Sequence, residues 1–231
     1  MCHYIKQWLA GGAMNGQEGL LAVIWGGALL LWLLFLLFYD GMRRPLQPRE
    51  IEAFLAGLGP RMAETGNDAA RLRAFLEADD GREFVMVNLV RTRPGPVTDP
   101  VGGETREGAD WLRRYSRPFV RGLIARGGHP LFVGRKAGGY IDAWNTPPDP
   151  GWSLVGTMRY RSRRDLVRMA ADPEFRSAHV NKTLGIEATF SFPTQRQIAF
   201  YASPRVTVGL ALALFAALGH ILILTFAWGT A

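Results

Sequence analysis

The chain has 231 residues, a formal net charge of +7, 48% hydrophobic content and a single cysteine, Cys2, with a mean hydropathy of +0.02. One cysteine excludes a disulfide scaffold and a structural zinc site built on cysteines, and the aliphatic and aromatic content excludes disorder of the middle of the chain. The near-zero mean hides two apolar runs, Leu20 to Tyr39 and Val206 to Trp228, each long enough to cross a bilayer. Between them charge rises to about a quarter of the residues, ordinary for a globular domain.

In chain order, residues 1–19 form an N-terminal extracytoplasmic segment and 20–39 the first membrane helix. The lead before that helix is long and weakly charged (Lys6 against Glu18), and no Ala-x-Ala pattern follows it, which favours a retained helix over a signal peptide. Residues 40–83 make a membrane-proximal segment of two short helices. Ile51, Phe54, Leu55 and Leu58 share one face, and Ala70, Leu72, Phe75 and Leu76 repeat the pattern behind a cap at Asn67 or Asp68.

Residues 84–195 read as an α+β domain. Phe84 to Arg91 is a strand. Arg93 to Gly108, rich in Pro and Gly, reads as irregular and as the longest loop. A helix at about Ala109 to Arg126 puts Trp111, Leu112, Tyr115, Phe119 and Leu123 on one face and stops at Gly127-Gly128. Strands at Pro130 to Arg135 and Trp152 to Tyr160 follow. Ser162 starts one helix as a capping box, Asp172-Pro173 starts another, and a strand at about Glu187 to Phe192 closes the unit. The order strand, helix, strand, strand, helix, strand is that of the ferredoxin-like fold. Its antiparallel sheet carries helices on one face only, so a second copy is expected on the other. Residues 196–205 form a linker, 206–228 the second membrane helix and 229–231 a tail.

Arg43, Arg44 and Arg49 follow the first span, Arg196 and Arg205 precede the second, and the outer flanks offer only Lys6. That bias predicts a cytoplasmic domain and both termini outside, in a bacterial inner membrane given the Arg-rich, Lys-poor usage. The arginines are interspersed with acids and lack an aromatic stacking repeat, so the basic charge fits an anionic leaflet better than nucleic acid. In the second span Gly209, Ala213 and Ala217 form a small-residue stripe suited to close helix approach. His220 is the one ionisable residue within either span. Packing is its expected role, because neither span offers a second His for a haem or a proton relay.

The ligand-binding candidates are Asn88, Tyr115, His129, Arg159 and His179. Asn88 lies mid-strand among apolar neighbours, where its amide must bond a neighbouring loop or face a ligand. Tyr115 is expected in the core with a bonded hydroxyl. His129 reads as an exposed turn residue, with an acid or base role as the alternative. His179 and Lys182 fall one helical turn apart, which suggests a solvated face. Arg159 and Tyr160 alternate, so only one can face a pocket. Asp79-Asp80 reads as a loop with acids, no metal site or phosphate loop is found, and neither a cofactor nor a catalytic residue is assigned.

The run Val85-Met-Val-Asn-Leu-Val-Arg91, then Tyr115, Gly127-Gly128-x-Pro-Leu-Phe-Val-Gly134, Trp152 to Ser162 and Met169-x-x-Asp172-Pro-Glu-Phe175 resembles an uncharacterised bacterial family of the dimeric α/β-barrel superfamily, over Leu72 to Phe192. Where that family has Tyr-Pro-Ser, this chain has Tyr160-Arg161-Ser162, and Phe175 replaces a tyrosine. Flanking membrane helices are not part of the usual domain. The resemblance implies a ferredoxin-like fold and a homodimer, and no reaction. Some monooxygenases of the superfamily use an Asn on the first strand and a His on a helix, an arrangement that Asn88 with His179 resembles. Two functions follow as expectations: a membrane-anchored module binding a small molecule or a protein partner, or a membrane-tethered oxidoreductase or isomerase acting on a small apolar metabolite.

Overall fold

The computed structural model describes residues 16–58, 68–199 and 201–228. Cys2, Lys6 and Asn67 lie outside them. The elements are α1 (Gly16–Asp40), α2 (Pro48–Leu58), α3 (Ala69–Glu77), β1 (Phe84–Thr92), β2 (Pro96–Thr98), β3 (Thr105–Glu107), α4 (Gly108–Ala125), β4 (His129–Arg135), β5 (Leu154–Tyr160), α5 (Arg163–Ala171), α6 (Pro173–Gly185), β6 (Ile186–Thr194) and α7 (Pro204–Trp228). They divide into two units, one comprising α1 up to Phe38 with α7 and the other running from Tyr39 to Ala199.

In the first unit α1 and α7 are each long and apolar enough to cross a membrane. Many of their leucines, among them Leu30, Leu37, Leu210 and Leu214, are exposed. The expected small-residue stripe has an intramolecular cause. A Cβ on Gly209 would lie 2.8 Å from the Trp32 indole nitrogen, and one on Gly219 would lie 3.3 Å from Ile24. Trp32 is held there by donating to the Arg205 carbonyl at 3.0 Å. Small side chains let the helices approach until the indole fills the gap.

The second unit is a mixed α+β structure. Its antiparallel sheet has the order β4-β5-β1-β6. Paired residues share a face: Phe84 with Tyr160 and Met86 with Met158 point toward the helices. Phe84, Tyr160, Leu123 and Met169 form the core there, with Phe75, Phe119 and Phe175 packed on it. The Phe84 and Tyr160 rings stack at 5.0 Å. A second cluster, Leu46, Ile51 and Leu76 with Leu72 and Phe75, docks α2 and α3 onto this layer. The other sheet face leaves Phe132, Phe190 and Phe192 exposed.

The local signals act as expected at three helix starts. Asp68 accepts from the Ala70 and Arg71 amides, Ser162 from Asp165, and Asp172 from Glu174 with Pro173 in the first turn. The Pro/Gly stretch behaves differently. It contains the β2–β3 hairpin, closed by the Asp99 amide donating to the Glu104 carbonyl at 2.8 Å and by a Thr98–Thr105 hydroxyl pair at 2.8 Å. Gly95 and Gly103 take positive φ, so the glycines there shape the turns and the prolines do not prevent pairing. The longest irregular segment of the domain is instead 136–153, between β4 and β5.

Candidate functional site

Asn88 pairs with Gly156 on β5 and Ser191 on β6. It therefore shares the helix-facing side with Met86 and Met158, and the space beside Gly156 is taken by Met158, whose Cε would lie 3.2 Å from a Cβ at that position. The amide bonds strands rather than a loop. It donates to the carbonyls of Met86 at 3.2 Å and Gly156 at 3.1 Å and accepts from the Ser191 hydroxyl at 2.7 Å. Both amide hydrogens are used, and one lone pair on the side-chain oxygen remains.

Above this face α4 and α6 pack antiparallel. A Cβ on Gly185 would lie 2.5 Å from the Leu112 backbone nitrogen. Farther along, the Tyr115 ring meets Phe175 at 6.0 Å and stands edge-on to His179 at 6.4 Å. Residues 175, 179 and 182 lie on one stripe of α6. Phe175 reaches the core, so the stripe faces the sheet. His179 and Lys182 are half-buried, which corrects the expectation of a solvated face.

Tyr115 packs as a core residue, as expected, but its hydroxyl has no hydrogen-bond partner among the described residues, contrary to expectation. Burial pushes its ionisation well above that of an ordinary tyrosine. Tyr160 is raised in the same way, by burial first and then by the nearby Tyr115. The Lys182 amine likewise has no ion pair or hydrogen bond among the described residues, and desolvation lowers its pKa below the ordinary 10.5.

His129 and Arg159 belong to a different cluster. His129 opens β4 opposite Arg159 and is half-buried rather than exposed. Tyr39 supplies the reason: its hydroxyl lies 2.7 Å from the His129 Nε2 and the two rings stack at 5.8 Å. Arg159 is 1% exposed. It donates to Glu83 at 2.9 and 2.6 Å, to the Gly127 carbonyl at 2.5 Å and to the Tyr39 carbonyl at 3.1 Å, and it covers the Tyr39 ring at 3.8 Å. Glu83 also takes a bond from Arg196 at 2.6 Å. Sequence reasoning missed Tyr39 and Glu83, because nothing local marks a residue whose partner is more than seventy positions away.

A groove of about 550 Å³ lies elsewhere and includes Arg121, Arg126, Arg161 and Arg168. Asp172 answers Arg126 and Asp165 answers Arg161, both at 2.8 Å, so the groove offers little uncompensated charge. Asp79 accepts from the Leu46 and Gly81 amides at 2.8 and 3.0 Å, a loop-bracing role. Among the described residues no group of three His, Cys, Asp or Glu side chains could hold a metal ion. His220 lies 3.4 Å from the Trp25 indole nitrogen.

No family model matches the chain, and no curated protein matches it. Solved structures similar to it include a protein of unknown function from Rhodopseudomonas palustris, at 23% identity and a TM-score of 0.48 over 56% of this chain and 94% of that one. A methylated form of the same protein gives 24% and 0.48 over 56% and 91%. A dimeric protein of unknown function and ferredoxin-like fold from Bacteroides fragilis gives 16% and 0.28 over 49% and 96%.

Proposed function

We propose that this chain is a two-span bacterial inner-membrane protein whose ferredoxin-like domain, residues 84–195, lies on the cytoplasmic side as a homodimer and binds a small molecule between its helices and sheet. The observation that carries the binding reading is spare hydrogen-bonding capacity in an apolar layer. The Tyr115 hydroxyl and the Lys182 amine lack partners among the described residues, and Asn88 keeps an open lone pair. Among the described residues only the Arg91 Nε is fully buried without a partner, so the Tyr115 hydroxyl and the Lys182 amine are open to a polar ligand in place of solvent, as is the free lone pair of Asn88.

The ferredoxin-like reading is supported by the order β4-β5-β1-β6 with the main helices on one face. The homodimer is supported by the bare aromatic face of Phe132, Phe190 and Phe192, since an apolar sheet face of this kind marks an interaction surface. The orientation rests on the arginines flanking the spans. A membrane-tethered oxidoreductase or isomerase is the second reading, favoured by His179 standing against Tyr115 above the Asn88 strand.

Native mass spectrometry of the detergent-solubilised full chain tests the proposal. The expected result is a dimer carrying a retained small molecule, with Asn88→Ala abolishing the thermal stabilisation that this molecule gives. A monomer defeats the dimer, and unchanged stabilisation in Asn88→Ala for every retained compound defeats the site. A C-terminal reporter fusion is expected to give periplasmic signal, and a cytoplasmic result overturns the orientation.

A further inference from the structure

The sheet face turned away from the main helices carries Arg159, Phe192 and Phe190 in successive rows, opposite Val85, Val87 and Leu89 of β1. It is covered at one end only, where Tyr39 lies against Arg159 and His129. From that end the chain passes to both apolar helices, directly at Tyr39 and beyond Thr194, the partner of Val85. The rest of the face leaves Phe132, Phe190 and Phe192 exposed. Phe192 stacks on Phe190 at 5.9 Å, and Trp152 stands edge-on to Phe190 at 5.1 Å. The aromatic band therefore runs on into the segment 136–153.

That segment is fastened at its root and bare at its tip. The Lys136 amide donates to the Ser153 carbonyl at 2.9 Å, and the Ser153 amide to the Val90 carbonyl at 2.8 Å. Arg91 donates to the Pro150 carbonyl at 2.8 Å, and Lys136 pairs with Asp149. At the tip Ile141 is fully exposed, Trp144 is 83% exposed and Tyr140 46%, with Lys136 5.1 Å from the Tyr140 ring. Large apolar side chains held out on a braced root mark an interaction surface.

We propose that residues 136–153 form an arm that lies on a second copy of this chain, with Trp144, Ile141 and Tyr140 seated against that copy's aromatic sheet face. This rests on the homodimer reading above and names its contact. Area is the argument for it. The open face spans four strands about 4.8 Å apart and about five residues of about 3.3 Å each, a flat patch of about 300 Å², whereas a stable interface takes about 800 Å² from each partner. A whole aromatic side chain buries about 150–250 Å², so Trp144, Ile141 and the exposed half of Tyr140 add about 400 Å² and bring face and arm together close to that size. Two-fold symmetry lets each copy give one arm and receive one. Lipid is the poorer occupant. The arm is rooted where Arg135 pairs with Leu154, about 20 Å along the strands from the end that leads to both apolar helices.

The test uses the full chain in detergent with the photo-reactive residue benzoylphenylalanine in place of Trp144, an exposed position that tolerates the change. Irradiation is expected to give a covalent dimer, joined at peptides that carry Phe132 or Phe190 and Phe192. In a native mass spectrometry dilution series the double variant Ile141→Ser, Trp144→Ser is expected to weaken the dimer at least about tenfold, since two large apolar side chains leave the contact, with the melting temperature of the dissociated chain unchanged. A native dimer that yields no covalent dimer, or that the double variant leaves equally tight, overturns the arm while the homodimer stands. A covalent dimer joined outside the sheet face overturns the seating. A chain that is monomeric at every concentration overturns the homodimer and the arm with it. Cross-links to lipid and none between chains, in vesicles of phosphatidylethanolamine and phosphatidylglycerol, overturn the proposal in favour of the bilayer.

Discussion

Replacing Arg159 by alanine should be among the most damaging single changes to the domain. The guanidinium is almost fully buried and bonds Glu83 and the carbonyls of Gly127 and Tyr39. Its removal leaves two carbonyls without that donor, each costing about 1–3 kcal/mol when buried, and takes away its cover on the Tyr39 ring. Glu83 keeps Arg196, so its charge is not fully orphaned, and the loss sits within the range of about 3–5 kcal/mol for a broken buried pair. For a unit of this size each kcal/mol moves the midpoint by about 2–4 °C, which gives a fall of roughly 6–20 °C. Thermal unfolding of the intact chain in detergent, read by tryptophan fluorescence and checked by trypsin sensitivity, measures it. Arg159→Lys should lie between wild type and Arg159→Ala, because an ammonium keeps the charge but cannot reach all three partners. Arg113→Ala, which removes an exposed pair with Asp110, is the control, with a loss below about 1 kcal/mol. If Arg159→Ala melts within two or three degrees, roughly the precision of the comparison, of Arg113→Ala, the reasoning is refuted.

The hydrogen bond from Arg126, helped by the Glu174 amide, holds the Asp172 carboxyl below its ordinary value. A lowered carboxylate contributes stability that is present above its unfolded pKa and is lost as pH falls through the folded one. Asp172→Asn, which can still cap α6, should therefore flatten the decline of the melting temperature below about pH 4 while leaving the cap in place; an unchanged acid limb would count against the assignment. Gly209→Val should cost about 1–3 kcal/mol by overpacking against Trp32, seen as a lower melting temperature of the full chain in detergent, whereas Ala217→Val should cost less. Phe190→Glu puts a charge on the exposed sheet face and should shift the native mass spectrum from dimer to monomer, with some loss of melting temperature because Phe190 also packs on Trp152 at 5.1 Å; a persistent dimer would place the interface elsewhere.

The features legible in the sequence were those set by neighbours in the chain. Apolar runs of more than twenty residues, the caps Asp68, Ser162 and Asp172, and the order of strands and helices all follow from local periodicity and capping chemistry. The β2–β3 hairpin was missed because Pro and Gly are evidence for a turn but not against short strands on either side of it. The small-residue stripe was visible at Gly209, but its partner Trp32 was not, since it lies 177 positions away in the chain.

The candidate site divides along the same line. Asn88 and Tyr115 stood out as polar residues in apolar surroundings, which a sequence displays directly, whereas His179 was expected on a solvated face. Which of them keep hydrogen-bonding capacity does not follow from type or spacing, because a polar group is satisfied or left open by atoms brought to it from other elements. Tertiary packing gave Arg159 to Glu83 and two carbonyls, gave His129 to Tyr39, and half-buried Lys182, expected on a solvated face. Composition and periodicity thus determined the two long apolar helices and the mixed α+β domain between them; only the crossing of α4 and α6 over the sheet decided which polar groups of that domain find hydrogen-bond partners, because those partners come from distant elements.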